Sequence, residues 1–133
     1  MECIFCEIIA KKEKSYTIYE NNYVIAILDI DPINKGHVLV IPKKHYEEFT
    51  EVDQDTLSNV ILVAQKIARV IEEILQPDGI TVMQNNGVFK DVNHYHMHVF
   101  PRFENDGFGW VEPDFEVNEE DLIAIFERLK KAM

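Results

Sequence analysis

His94-Tyr95-His96-Met97-His98 places three of the chain's five histidines at a spacing of two. Imidazoles titrate near neutrality, so this residue type can act as a nucleophile, a proton carrier or a metal ligand. Side chains at i, i+2 and i+4 of a β-strand share one face. Read as a strand running to about Arg102, the segment presents His94, His96 and His98 as one row and Tyr95, Met97 and Val99 as a core-facing row. The histidine row spans roughly 13 Å at about 3.3 Å per residue. That is too long for one metal ion to take all three, so they divide among different jobs. A metal held by His96 and His98 alone is a competing reading. A second motif, Cys3-x-x-Cys6, is either a redox pair or half of a metal site. A thioredoxin-type pair is expected at the end of a strand entering a helix. No strand precedes this one, which favours the metal reading, with histidines elsewhere completing the set.

Composition narrows the classes. The chain has 133 residues, 47% hydrophobic and 28% charged, enough for one domain with a real core over residues 1–133. A net charge of −11 argues against a nucleic-acid duplex as partner, because phosphate backbones are held by basic patches. No apolar run reaches the length of a membrane span. The N-terminal residues lack the basic and apolar regions of a secretory signal, so a cytoplasmic location is the default expectation.

The elements that must position these residues follow from periodicity and punctuation. Residues 3–10 read as a short helix or turn with Ile4, Phe5, Ile8 and Ile9 on one face. Strands are expected at 16–20, 23–28, 37–41 and 80–84, the third apolar enough to be central. Asp53 caps a long helix to about Gln76, stopped by Pro77-Asp78-Gly79. Asn85 to Asn93 is a loop, Asn105 to Trp110 a mobile connection, and Asn118 caps a final helix through Ala132. Strands flanking one long helix give an α+β fold. An antiparallel sheet of about five strands would carry the helix on one face and leave the other to the histidines.

With the motifs placed, the sequence resembles the histidine triad (HIT) superfamily of nucleotide hydrolases and transferases. The triad pattern His-φ-His-φ-His-φ-φ, with φ apolar, is met by His94 to Phe100. Asp29-Ile30-Asp31-Pro32, Gly36 to His45 and Asn85-Asn86-Gly87 also resemble the family, and the likeness covers roughly residues 3–110. It implies a HIT-like fold, a homodimer, and chemistry at the α-phosphorus of a nucleoside 5′-phosphate derivative. His96 is then the nucleophile, His98 a donor to the phosphate or leaving group, and His37 a supporting histidine. By the same resemblance Asp29 holds the ribose, Asn85 lies near the phosphate, and Ile4, Phe5, Ile8, Ile27 and Ile30 match the apolar slot for a purine base. Members with an N-terminal C-x-x-C are similar to galactose-1-phosphate uridylyltransferase in holding a structural zinc. Carried over, the ligands are Cys3, Cys6, His45 and His94, and no catalytic metal is expected.

The sequence departs from the family where many members carry a glycine-rich loop ending Gly-Gln-x-φ. Here the stretch is Val88 to Asn93, shorter and without that glycine. Lys90 falls near the glutamine position and Asp91 near a small hydroxyl residue of some relatives. Lys90 either meets phosphate or is solvated. The resemblance is strongest to the bacterial-type, Hint-like branch, which implies hydrolysis of nucleoside phosphoramidates. The alternatives are a Fhit-like dinucleoside polyphosphate hydrolase and a nucleotide- or zinc-binding regulatory module. Trp110 and the final helix are placed either at a dimer interface or on their own subunit.

Overall fold

A computed structural model describes residues 2–133. Five strands form one sheet: β1 (Thr17–Glu20), β2 (Val24–Leu28), β3 (Val38–Pro42), β4 (Gly79–Met83) and β5 (Met97–Arg102). Their order is β1-β2-β3-β5-β4, with every neighbouring pair antiparallel. This is the expected α+β architecture, and β3 is indeed the central strand.

The long helix α2 (Gln54–Leu75) begins where the Asp53 carboxylate accepts from the Thr56 backbone N–H at 2.8 Å. It ends at Gln76 in the left-handed region. Val60, Val63, Ala64, Ile67 and Ile71 turn inward against Val24, Ala26, Val38, Val40, Tyr95, Met97 and Val99. Strand alternation sends Ile25, Ile27, Leu39 and Ile41 to the opposite face, where Phe5 and Ile8 of the short helix α1 (Ile4–Ile9) cover them. Each such aliphatic side chain contributes about 1.5–3 kcal/mol when fully buried. Burial on both faces is therefore what fixes β2 and β3 as the middle of the sheet.

Two expectations are corrected, and one that was open between two placements is narrowed. The histidine strand starts at Met97: the Tyr95 N–H is taken by the Tyr46 carbonyl at 2.7 Å, and pairing with β3 begins only at Met97, leaving His94 and His96 just before the strand. The connection after β5 is fastened rather than mobile. Asp106 accepts from Arg102 at 2.7 and 3.1 Å, from Asn34 at 2.9 Å, and from the Phe103 and Phe108 backbone N–H groups. The terminal helix α3 (Glu119–Ala132), capped by Asn118 as expected, does not pack on its own subunit. None of its residues is buried, and Leu122, Ile123, Phe126 and Leu129 are all exposed.

Candidate active site and metal centre

Gly36 sets up the site from the β3 side. Its φ is +98°, and a Cβ there would meet Leu75 Cδ1 at 2.5 Å. Glycine alone fits, and the turn delivers His37 to the start of β3. Ile33 N–H donates to His37 Nδ1 at 3.0 Å, so that nitrogen is an acceptor. The hydrogen of neutral His37 therefore sits on Nε2, 2.9 Å from His98 Nδ1 and 3.6 Å from Asp29 Oδ2. His98 in turn carries its hydrogen on Nε2, a donor free for an oxygen or nitrogen brought into the site. Burial first, then the neighbouring histidines, pushes His98 down to about 4, and burial lowers His37 too.

His96 is oriented from the other end of the row. Its Nδ1 lies 2.7 Å from the His94 carbonyl. A carbonyl only accepts, so Nδ1 is the donor and Nε2 is the reactive position. Asp91 Oδ1 stands 3.0 Å from that Nε2. With both contacts made, both ring nitrogens carry hydrogens, and the Nε2 lone pair is available only once Asp91 is displaced. Burial works against the Asp91 carboxylate, yet His96, its own backbone N–H and His98 together outweigh it and leave its pKa below the ordinary value. The His96 and His98 rings are 4.9 Å apart, on the same side of the extended segment that leads into β5.

His94 has a different environment. Its Nε2–H donates to the Pro42 carbonyl at 2.8 Å, which aims the Nδ1 lone pair at Cys3 Sγ (3.4 Å) and Cys6 Sγ (3.6 Å). His45 Nδ1 lies 3.3 Å from Cys6 Sγ. All four donor atoms fall within 4.8 Å of one another. Tetrahedral zinc with bonds of about 2.3 Å to sulfur and 2.0 Å to nitrogen requires S···N edges near 3.5 Å. The donor set therefore fits that ion. Burial and the adjoining Cys3 raise the Cys6 thiol to about 11. The N-terminal C-x-x-C is thus part of a candidate metal-binding cluster, built where Cys3 caps α1 and Cys6 closes its first turn.

The remaining predicted site residues scatter more widely. Asp29 reaches the His37–His98 pair, as above. Phe5, Ile8 and Ile27 pack together in the core under α1, and Phe5 lies edge-on to His96 at 5.0 Å. Ile4 and Ile30 stand exposed, Ile30 by 86%. Asn85 is exposed, with no side-chain hydrogen bond among the described residues. Lys90 is neither solvated nor free for phosphate. Its ammonium binds Glu48 at 2.6 Å, Asn93 at 2.7 Å and the Glu47 carbonyl at 2.8 Å. Glu48 also accepts from Gly87 N–H, so the short loop is stitched to the segment after β3. Asp91 is the site residue that sequence reasoning left without a role. The signal was a carboxylate five positions before the middle histidine.

The HIT domain model matches residues 10–105. The chain belongs to the HIT family. A HIT family protein from Bacillus subtilis has a similar structure, with a TM-score of 0.90 and 39% identity over 100% of this chain and 98% of its own. A histidine triad nucleotide-binding protein from Candida albicans is 32% identical at a TM-score of 0.87, covering 98% and 96% of the two chains. A zinc-bound histidine triad family protein from Mycobacterium smegmatis is 35% identical at 0.76, covering 100% and 99%. In HIT terms, the row described above is the triad, and His94, its first member, faces the cysteines rather than the other two.

Burial of His98 has a consequence for acid stability. Its folded value of about 4 lies below the ordinary 6.5. Between these values the unfolded chain binds a proton that the folded chain refuses, so stability falls as pH drops from 6.5 towards 4. Buried His37 acts in the same direction. Thermal melts from pH 7 to 4.5 are expected to show a steadily falling Tm. A flat Tm over that range would contradict a neutral, buried His37–His98 pair.

Proposed function

We propose that this HIT protein hydrolyses nucleoside 5′-phosphoramidates through a covalent nucleotidyl-His96 intermediate, as a member of the Hint-like branch. The carrying observation is the His96 Nδ1–H bond to the His94 carbonyl at 2.7 Å, which fixes the ring with Nε2 as its reactive atom. Nε2 attacks the α-phosphorus, and the P–N bond breaks. The leaving amine takes up the proton that Nε2 gives up when Asp91 is displaced. Water then attacks phosphorus, the P–Nε2 bond breaks, and the monophosphate departs while that water's proton replaces the one consumed. His98 Nε2–H supplies a neutral donor to a phosphate oxygen or to the leaving group. Asp29 would hold the ribose hydroxyls, Asn85 would approach the phosphate, and Ile4 and Ile30 would flank the base above Phe5, Ile8 and Ile27. The nucleotide-binding name of the Candida albicans relative supports the ligand class.

A phosphoramidate suits the site better than a dinucleoside polyphosphate. A polyphosphate leaving group needs a cation, and Lys90 is already bound to three partners. In the metal centre, Cys3, Cys6, His45 and His94 would hold zinc. Its contribution there is structural, tying α1 to the strand that carries the triad. The exposed apolar residues of α3, together with Trp110, support a homodimer as the working unit.

The test is release of AMP from adenosine 5′-phosphoramidate and from diadenosine triphosphate, by protein that sediments as two chains. Faster phosphoramidate turnover is expected. Preference for the dinucleotide would move the protein to the Fhit-like class, and nucleotide binding without turnover of either would leave a binding module.

A further inference from the structure

Phosphoramidate hydrolysis through His96 consumes a proton when the amine leaves and releases one when water attacks. The His98–His37 pair is not the carrier. His98 offers Nε2–H to an incoming atom, but it cannot give that proton away. Its Nδ1 faces His37 Nε2–H at 2.9 Å, and His37 Nδ1 already accepts from Ile33 N–H at 3.0 Å. Each ring holds one hydrogen, so a proton lost from His98 would leave an anionic imidazole in a buried site. The pair stabilises charge through hydrogen bonds and moves no proton.

Asp91 is the other titratable group within reach. Among the described residues it is the carboxylate that clusters with both His96 and His98, with donor atoms within 4.8 Å of one another. Its Oδ1 stands 3.0 Å from His96 Nε2 and accepts from Val92 N–H, also at 3.0 Å. Its Oδ2 has no hydrogen-bond partner among the described residues. The side chain is 69% exposed, so it can turn aside for a phosphate. Its backbone stays in place, because the neighbouring Lys90 is tied to Glu48, Asn93 and the Glu47 carbonyl. The carboxylate therefore swings about a fixed point beside the nucleophile.

We propose that Asp91 is a further catalytic residue of this chain, the acid–base group that moves the proton in both steps. The assignment rests on the reading of His96 as nucleophile. At rest the Nε2 hydrogen is held between an imidazolium and a carboxylate. When the anionic α-phosphate arrives, that hydrogen passes to Asp91. The transfer frees the Nε2 lone pair and cancels the carboxylate charge that would repel the phosphate. Nε2 then bonds to phosphorus, the P–N bond breaks, and the Asp91 hydrogen goes to the departing nitrogen. In the second step the Asp91 carboxylate takes a hydrogen from water, whose oxygen bonds to phosphorus as the P–Nε2 bond breaks. Departure of the monophosphate returns that hydrogen to Nε2 and restores the pair.

Two substrates sharing one nucleotide separate this role from a structural one. The amine of adenosine 5′-phosphoramidate needs a proton to leave, whereas the nitrophenolate of the 4-nitrophenyl ester of AMP leaves without one. Asp91→Asn keeps the shape and cannot carry the proton. Its kcat on the amide is expected to fall on the order of 10²-fold or more. Release of the first nitrophenolate per chain should slow at least about tenfold less than that. The adenylyl adduct on His96 should then accumulate in the variant, because the water step has also lost its base. Asp91→Ala should regain several-fold amide turnover in formate and none in sodium chloride of equal ionic strength, and it serves if Asp91→Asn does not fold. A folded Asp91→Asn with amide turnover within about threefold of wild type overturns the assignment. So does a loss of equal size on both substrates, or an Asp91→Ala protein that formate leaves unchanged. Absence of amide turnover by wild type would instead defeat the phosphoramidate reading itself, so the two failures are distinct.

Discussion

Replacing His96 with alanine is expected to lower kcat for AMP release by on the order of 10³-fold or more, because the atom that bonds to phosphorus is gone. Folding should survive. The His94 carbonyl loses a donor, a loss worth about 1–3 kcal/mol in a buried setting. His98 and His37 retain their mutual bond at 2.9 Å, and the His94 Nε2–H bond to Pro42 is untouched. Nucleotide affinity should change far less than turnover, which separates loss of chemistry from loss of the site. A His96→Ala protein that retains a tenth of wild-type turnover would transfer the chemistry to another group. The cluster of donor atoms that the variant keeps, Asp29–His37–His98, would then return as a metal site.

The second large effect belongs to the metal centre. Cys6→Ala removes one donor of the Cys3–Cys6–His45–His94 set but leaves the Cys3 cap of α1 in place. Zinc content is expected to fall from about one per chain to near none, with stability lowered by roughly 3 kcal/mol. For a chain of this size that is a Tm drop of about 10 °C. The physical route is α1. It is six residues long, too short to persist alone. Phe5 and Ile8, which cover the outer face of β2 and β3, depend on it. Strong chelator should reproduce the Tm loss in wild type. Brief chelation of folded protein should leave turnover unchanged. Chelation that stops turnover at unchanged Tm would place a metal on the reacting histidines. Wild type purified free of zinc, with the Tm of Cys6→Ala, would remove the structural site.

Much of this was legible in the sequence because it depends on neighbours in the chain. The Asp53 and Asn118 caps mark both long helices, since capping is a contact over three residues. The row of His96 and His98 follows from the pleat of a strand. The convergence of Cys3, Cys6, His45 and His94 spans 91 residues, and only the family resemblance suggested it. Periodicity could not place β5 between β3 and β4, because that order is a long-range choice.

What escaped the sequence were polar contacts set by loop conformation. Lys90 has its partners in Glu47 and Glu48, more than forty residues earlier, and no local pattern announces them. Asp106 looked like one residue of a polar, glycine-bearing turn, yet it ties Arg102, Asn34 and two backbone N–H groups together. Asp91 was visible as a carboxylate near the triad, but its contact with Nε2 depends on how the short loop is held by Lys90. The apolar residues of α2 also divide between two faces. Val60, Val63 and Ile67 face the sheet, whereas Ile61, Leu62 and Ile74 remain exposed.

The most direct measurement is intact-protein mass spectrometry after rapid acid-free quenching of wild type with adenosine 5′-phosphoramidate. The expected result is a transient species heavier by one adenylyl group, located to His96 by fragmentation and absent from His96→Ala. AMP released at full rate with no such adduct in the pre-steady state, or an adduct on any residue other than His96, would contradict the covalent mechanism.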